Sequence, residues 1–422
     1  MTSLVTKPLL LDATGKEIVG GIERQNILLT RLISASAEET PIATLNEIRE
    51  IVARGEAPLV FNIGDQINVK WNDGANDYIL PFDITHFGDV ELQDGETVPG
   101  MYIQSHYALT GIQFDQNEGF YVVPAAGMQA GTYCFTIGNS WGSNVVAGKI
   151  YSFTLAEDYT EGDILQLGTA TSETSGLPDQ SPANWRVRTY KKSGNVVAGK
   201  VETPTEILTL TEETEETGTS LGTLSSSTKY GTSGINNMQR SAYGYNRWSQ
   251  SAIRQWMNSA AAADAWWNPQ NPYDRRPNEL KNTRGMLAGF DEAFLNILGK
   301  VKVGTALNTL SDSDIGASEN TYDTFFLASL EQEYGSPQLA GVEGEYWEYW
   351  KRRTGLASPS NATNAARIRY AYNARSSAQN CRLRSANRGY AYNTWNVFTS
   401  GYVTSYGSAA SAYRAVPACV IC

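Results

Sequence analysis

"RSANRGYAYNTWNVFTSGYVTSYGSAASAYRAVPACVIC", residues 384–422, is the stretch on which the reading of the fold turns. Tyr, Ser, Asn, Gly and Ala crowd into it, together with Trp395, Phe398 and two closing cysteines. From Thr354 to the end there is no Asp, Glu or Lys but there are seven arginines, in a chain whose formal net charge is −11. Trp395 and Val397 fall on one parity, Asn396 and Phe398 on the other, which predicts an alternating strand with Phe398 facing outward. "YVTS" and "RAVPACVIC" have the pattern of two further short strands.

The sequence before this stretch adds helices. "YNRWSQSAIRQWMNSAAA" (245–262) predicts a helix that Ser249 can cap, with Ala252, Ile253, Trp256 and Met257 on one face. "NTRGMLAGFDEAFLNILGKVKV" (282–303) predicts a second amphipathic helix whose apolar stripe is Phe290, Phe294, Leu295 and Leu298. "TYDTFFLASLEQEYG" (321–335) reads as a short buried strand running into a polar turn or helix. Helices followed by short strands, closing on a strand, make an α+β domain of roughly 200 residues. Its expected extent is 216–422.

An acidic cluster followed by Ser, Thr and Gly, "TEETEETGTSLGTLSSSTKYG" (211–231), reads as a linker and places a boundary near 215–225. Upstream, residues 57–215 predict a β-rich domain of short strands between Gly, Asn and Asp turns. "APLVFNIGDQINVKW", "GFYVVPA", "GTYCFTIG", "KIYSFTL" and "GDILQLG" are its runs. The six-residue echo NVVAGK at 144 and 195 favours two related units over chance. Residues 1–56 form an expected attachment or oligomerisation segment with one clear helix, 44–54. There Thr44 and Glu47 make a capping-box pattern, Leu45, Ile48 and Val52 share a face, and Gly55 supplies the stop.

Composition narrows the function. The 422 residues are 41% hydrophobic and 18% charged. The acidic balance argues against a general nucleic-acid binder, which needs a basic surface for phosphates. No run of about 18 apolar residues predicts a membrane span, and the start lacks the basic and apolar regions of a signal peptide. The only histidines, His86 and His106, have no second ligand at i+3 or i+4, so they read as partly buried structural residues rather than zinc ligands. Cys134, Cys381, Cys419 and Cys422 are too scattered for a disulfide scaffold and read as reduced, largely buried thiols.

The order "YGYNRWSQSAIRQWMNS", "WWNPQNPYDRRP", "GMLAGFDEAFLN", "FFLASLEQEYG", then "RLRSANRGYAYNTWNV…GYV…RAVPACVI" resembles the C-type-lectin-fold domains of phage and prophage proteins. It is most similar to the targets of diversity-generating retroelements, over about residues 225–422. In that family a variable repeat ends in a fixed "(R)PA(C/F)xI" strand; Ala415 before Val416–Pro417 and the extra Cys422 depart from it at the edge. The resemblance implies adenine mutagenesis of Asn codons, which reaches Tyr, Ser, Asn, Gly, Thr, Ala, Phe, Arg and Asp but not Lys or Glu. It implies a variable region at about 382–414, varied at Arg388, Tyr390, Tyr392, Asn393, Asn396, Phe398, Tyr402, Thr404, Tyr406, Ser408, Ser411 and Tyr413. Leu383, Trp395, Val397, Val403, Pro417 and Val420 are the implied fixed framework. Physical chemistry favours the same division. Tyr gives large amphipathic contact area at low entropic cost, and Ser, Gly and Asn add adaptable hydrogen bonds.

The implied function is a virion-displayed receptor-binding or adhesion protein, such as a phage tail tip or fibre, assembled in the host cytoplasm. It would bind a host-surface protein or glycan and contact other virion proteins through its N-terminal region. It would act as a homo-oligomer, a trimer by family analogy, with no cofactor, no metal and no catalysis. Three rivals stand beside it. A structural virion protein would pack the same tyrosines against neighbouring subunits. A formylglycine-generating-type oxidase would use Cys419 and Cys422, with Cys381 nearby, and a calcium lectin would use Asp312, Asp314 and Glu319.

Overall fold

The closing strand is an interior strand of the main sheet. The computed structural model describes residues 44–116, 121–122, 129–136, 150–159, 164–168, 188–192, 207–209, 211–213, 218–223, 243–270, 274, 276–309, 312, 315–354 and 365–422. In it, Pro417–Ile421 lies between Thr97–Ser105 and Phe325–Leu327, with Asp77–Glu91 and Gln66–Asn72 completing five antiparallel strands. Cys419 sits opposite both Ile103 and Phe325. Pro417 begins the strand, the position where a missing N–H does least harm to a ladder. All five residues of the closing strand are buried.

The described residues are mostly strand with a few short helices, an α+β architecture. The sheets do not follow the expected boundary at 215. Thr97–Ser105 pairs with the C-terminal strand, and one apolar core joins Trp71, Phe82 and Ile103 to Phe290, Phe325 and Val420. The physical cause is that a buried closing strand must satisfy hydrogen bonds on both edges, and the upstream hairpin supplies one of them. Gly100 permits this approach, since a Cβ there would stand 2.8 Å from Val420 Cγ1.

A second sheet is built from Gly131–Thr136, Ile150–Leu155, Arg188–Lys192, Thr211–Glu213 and Gly218–Thr223. The stretch expected as linker therefore contributes two of its strands. Both NVVAGK copies lie outside the described residues, as do residues 1–43.

The helix at Leu45–Ala53 follows expectation. Thr44 and Glu47 close the capping box, and Ile48 and Val52 are buried against the sheet. The other two helices are shorter than their periodicity implies. In the first, only Ala252–Met257 is α-helical, and Ser251 caps it rather than Ser249, which lies in a 3₁₀ turn. In the second, a 3₁₀ turn at Met286–Gly289 and one helical turn at Glu292–Leu295 replace the expected helix. Its glycines explain the break. A Cβ on Gly289 would stand 2.4 Å from Asn72 O and one on Gly285 2.2 Å from Ser259 O, so backbone packing sets the path. Phe290 and Phe294 still face the core, while Leu295 and Leu298 are partly buried. Phe325–Leu327 and the capped helix Leu330–Tyr334 form as read.

Candidate ligand-binding surface

Cys381–Ala386, Asn393–Val397 and Val403–Ser408 form a three-stranded antiparallel sheet. Asn396 lies opposite both Arg382 and Thr404. This sheet is covered on both faces, so alternation does not sort its residues into core and surface. Leu383, Val397 and Val403 are buried on one side, while Arg382, Asn396 and Thr404 are buried on the other.

Two side chains brace the sheet from beneath. Arg382, 1% exposed, donates from Nη1 to Thr394 Oγ1 and Gly407 O, and from Nη2 to Ser408 O and Ser411 O. Its guanidinium also lies 4.5 Å from the Tyr413 ring centre. Burial pushes Arg382 down to about 9, which leaves it cationic at neutral pH, held by neutral acceptors. Asn246, fully buried, donates from Nδ2 to the backbone oxygens of Asn387, Tyr390 and Asn393. Asn308 fixes it by donating to Asn246 Oδ1 and to Asp312 Oδ2. Asp312 also accepts from the Tyr245 hydroxyl. Gly244, at φ +81°, turns the chain so that half-buried Tyr243 and buried Tyr245 can take different directions.

Over these braces lies a run of four aromatic rings. Tyr243 stacks on Tyr392 at 4.7 Å, Tyr392 meets Tyr390 edge-on at 5.6 Å, and Tyr390 meets Tyr406 edge-on at 6.4 Å. Tyr406 is 68% exposed and Tyr390 37%. A second group gathers at the hairpin turn and beside it, with Phe398 stacked on Tyr402 at 6.1 Å and edge-on to Tyr413 at 6.5 Å.

The twelve expected positions therefore divide. Tyr390 and Tyr406 are exposed, and Tyr392, Phe398, Tyr402, Ser408, Ser411 and Tyr413 are half-buried. Arg388 is also half-buried, but it donates to Leu307 O and Gln338 O and stands apart from both ring groups. Asn393, Asn396 and Thr404 are corrections, being buried at 4%, 0% and 6% exposure. Asn396 finds no hydrogen-bond partner for either amide atom. The cause is the covered inner face, which places Asn396 against the Arg382 side of the sheet. Among the expected framework, Leu383, Val397, Val403, Pro417 and Val420 are buried, whereas Trp395 is only half-buried.

Tyr243, Asn246 and Arg382 were not singled out from the sequence. Tyr243 belongs to the "YGY" whose central glycine signals a tight backbone, and Arg382 was hidden among seven arginines that spacing cannot rank.

Glu319 accepts from Arg247 at 2.6 Å and Asp312 is taken by Tyr245 and Asn308, while Asp314 lies outside the described residues. Among the described residues no group of three or more His, Cys, Asp or Glu converges. His86 lies 3.6 Å from Glu345, and His106 lies 2.9 Å from buried Asp83. Cys381, Cys419 and Cys422 are free thiols. Burial pushes Cys381 up to about 12 and raises Cys419 and Cys422 too, against the lowered value a redox-active pair uses. No described helix is long and apolar enough to cross a membrane.

Residues 219–422 match a family model described as Domain of unknown function (DUF6273). The match takes in the braced hairpin and the closing strand but not the upstream strands that complete the main sheet. No curated protein and no solved structure gives a significant match.

Proposed function

We propose that the protein is a receptor-binding or adhesion protein displayed on a virion, such as a phage tail tip or fibre. Its C-terminal unit is read as a C-type-lectin-fold domain whose hairpin surface is diversified by a retroelement. One observation carries this reading. Exposed and half-buried aromatic side chains, free of carboxylates and lysines, gather on a hairpin whose inner face is pinned by Arg382 and Asn246. A rigid base under rigid, amphipathic rings is the economy of an antibody paratope. The partner is a host-surface protein or glycan, and the N-terminal region makes the contacts to other virion proteins. Assembly as a homo-oligomer, a trimer by family analogy, raises weak contacts to useful avidity. The role is binding rather than catalysis, with neither nucleic acid nor membrane insertion involved.

A display library tests it. Randomising 390, 392, 398, 402, 406 and 413 yields folded variants from which binders to unrelated targets are selected. Randomising 393 and 404 yields mostly unfolded chains. Equal folding losses in the two libraries would contradict a surface built to vary.

A further inference from the structure

A cleft of about 340 Å³ is lined by none of the twelve expected binding positions. The hairpin of Val301–Ala306 and Ser318–Asp323 forms one wall, and the turn at 341–344 forms another. Glycine shapes the space. Gly304 pairs with Asn320 in the hairpin, and a Cβ on it would stand 2.1 Å from Val342 O, so a side chain there would push the turn away. Gly344 lies at φ +95°, and a Cβ there would stand 2.9 Å from Gln332 Nε2, so glycine leaves room beside that amide nitrogen.

Several donors in the lining have no partner within the protein. Gln332 is 5% exposed, and its Oε1 accepts from Ser329 N and Arg384 Nη1. Its Nε2 makes no hydrogen bond to a described residue, and neither does the Tyr102 hydroxyl or the Asn320 amide. Burial pushes Tyr102 up to about 12, so its hydroxyl keeps its proton at neutral pH and can donate to a ligand. Arg384, 1% exposed, donates to Gly304 O, Leu327 O, Glu343 O and Gln332 Oε1. Burial pushes it down to about 10, which leaves it cationic at neutral pH.

Charge and size then narrow the occupant. The lining contains Arg384 and Lys302 but no Asp or Glu, in a chain of net charge −11. Glu343 and Asp323 act on Arg384 from outside the lining, and the Glu343 carboxylate is itself held by Ser385 Oγ and Gln338 N. Lys302 is paired with Glu91 at 2.8 Å, so Arg384 is the cation of the lining without a carboxylate partner. Free donors beside one such cation suit an anion of single charge that accepts several hydrogen bonds, which a carboxylate does. A phosphate group carries up to two charges and would leave one unmatched. Buried Val303 and Phe326 supply an apolar side. About 340 Å³ lies at the small end of ligand pockets, which fits a small molecule.

We propose that this cleft binds a small organic carboxylate, with Gln332 Nε2, the Tyr102 hydroxyl and the Asn320 amide as donors and Val303 and Phe326 against its apolar part. The site is separate from the hairpin surface and does not rest on the receptor-binding reading.

The test titrates the full chain by calorimetry with acetate, butyrate, benzoate, succinate and glutarate, each beside its amide, and with inorganic phosphate. At least one carboxylate is expected to bind, with its amide weaker by about tenfold or more. Tyr102→Phe should weaken that carboxylate by about fivefold or more, since it removes one donor and no bond within the protein. Asn320→Asp sets a repelling charge at an exposed position of the cleft wall and should weaken it by about tenfold or more. Both variants should keep the wild-type urea midpoint. Binding of no carboxylate, equal binding of the amides, binding of phosphate alone, or indifference to both substitutions would overturn the proposal.

Discussion

Replacing Arg382 by Met tests whether the hairpin is braced from within. The guanidinium is 1% exposed and supplies hydrogen bonds to Thr394 Oγ1, Gly407 O, Ser408 O and Ser411 O. A hydrogen bond to a charged group contributes about 1.5–3 kcal/mol, and each acceptor left buried without a donor costs about 1–3 kcal/mol. These terms do not add, because Met also removes the desolvation cost of a buried cation, itself several kcal/mol. The acceptors are neutral, so no charge is stranded, and the lost hydrogen bonds less the relieved desolvation leave an expected destabilisation of about 2–4 kcal/mol. Urea titration measures it as a lower midpoint at unchanged slope. Hydrogen exchange localises it, with the amides of 403–411 losing protection before the strands of the main sheet. Arg382→Lys should recover less than half of the loss, since an ammonium cannot reproduce a fork reaching acceptors on two sides. A loss under about 1 kcal/mol for Arg382→Met, or exchange at 403–411 unchanged, would refute the brace.

Three further outcomes follow from the same structure. Asn396 is buried with both amide atoms unpartnered, so near-isosteric Asn396→Leu should raise unfolding free energy by about 1 kcal/mol. A loss of that size in the urea midpoint would show that the amide is satisfied in solution. Gly244→Ala places a Cβ 2.5 Å from Asp115 O at a positive φ, so it should cost about 2–4 kcal/mol and disturb Tyr243 on Tyr392, read by near-ultraviolet circular dichroism. Burial alone would raise the Asp83 carboxyl, but the His106 hydrogen bond and the Arg369 charge hold it below the usual range. A depressed carboxylate gives stability that is present above its unfolded pKa of about 3.9 and is lost as pH falls through the folded value. Wild type should therefore weaken below about pH 4, whereas Asp83→Asn, already weaker at pH 7 by about 3 kcal/mol, should show a flatter slope. Parallel slopes would remove Asp83 from the account.

Much of the architecture was legible because it depends on local patterns. The Thr44–Glu47 capping box, the Phe325–Leu327 strand and the closing strand all follow from spacing and apolar runs. Long-range pairing was not legible. Nothing in "DYILPFDITHFGDVE" announces that its sheet will take in residues 417–421 from the far end, so strand pairing across the expected boundary at 215 could not be read. The two overlong helices failed for a related reason, since Gly285 and Gly289 answer to Ser259 and Asn72, which are distant in sequence. At the candidate surface, alternation separates two faces only when one face is wet. Here both are covered, so Asn396 and Thr404 read as displayed and are buried, while Tyr390 and Tyr406 do face outward. Composition located the hairpin, but its register was needed to divide it.

The most direct measurement is of DNA rather than protein. Sequencing the region around the gene should find a near-identical copy of the segment encoding residues 382–414, beside a reverse-transcriptase gene. The two copies should differ chiefly at adenines, concentrated in the codons for Tyr390, Tyr392, Phe398, Tyr402, Tyr406 and Tyr413. A copy whose differences ignore adenine, or no copy at all, would contradict diversification of this surface.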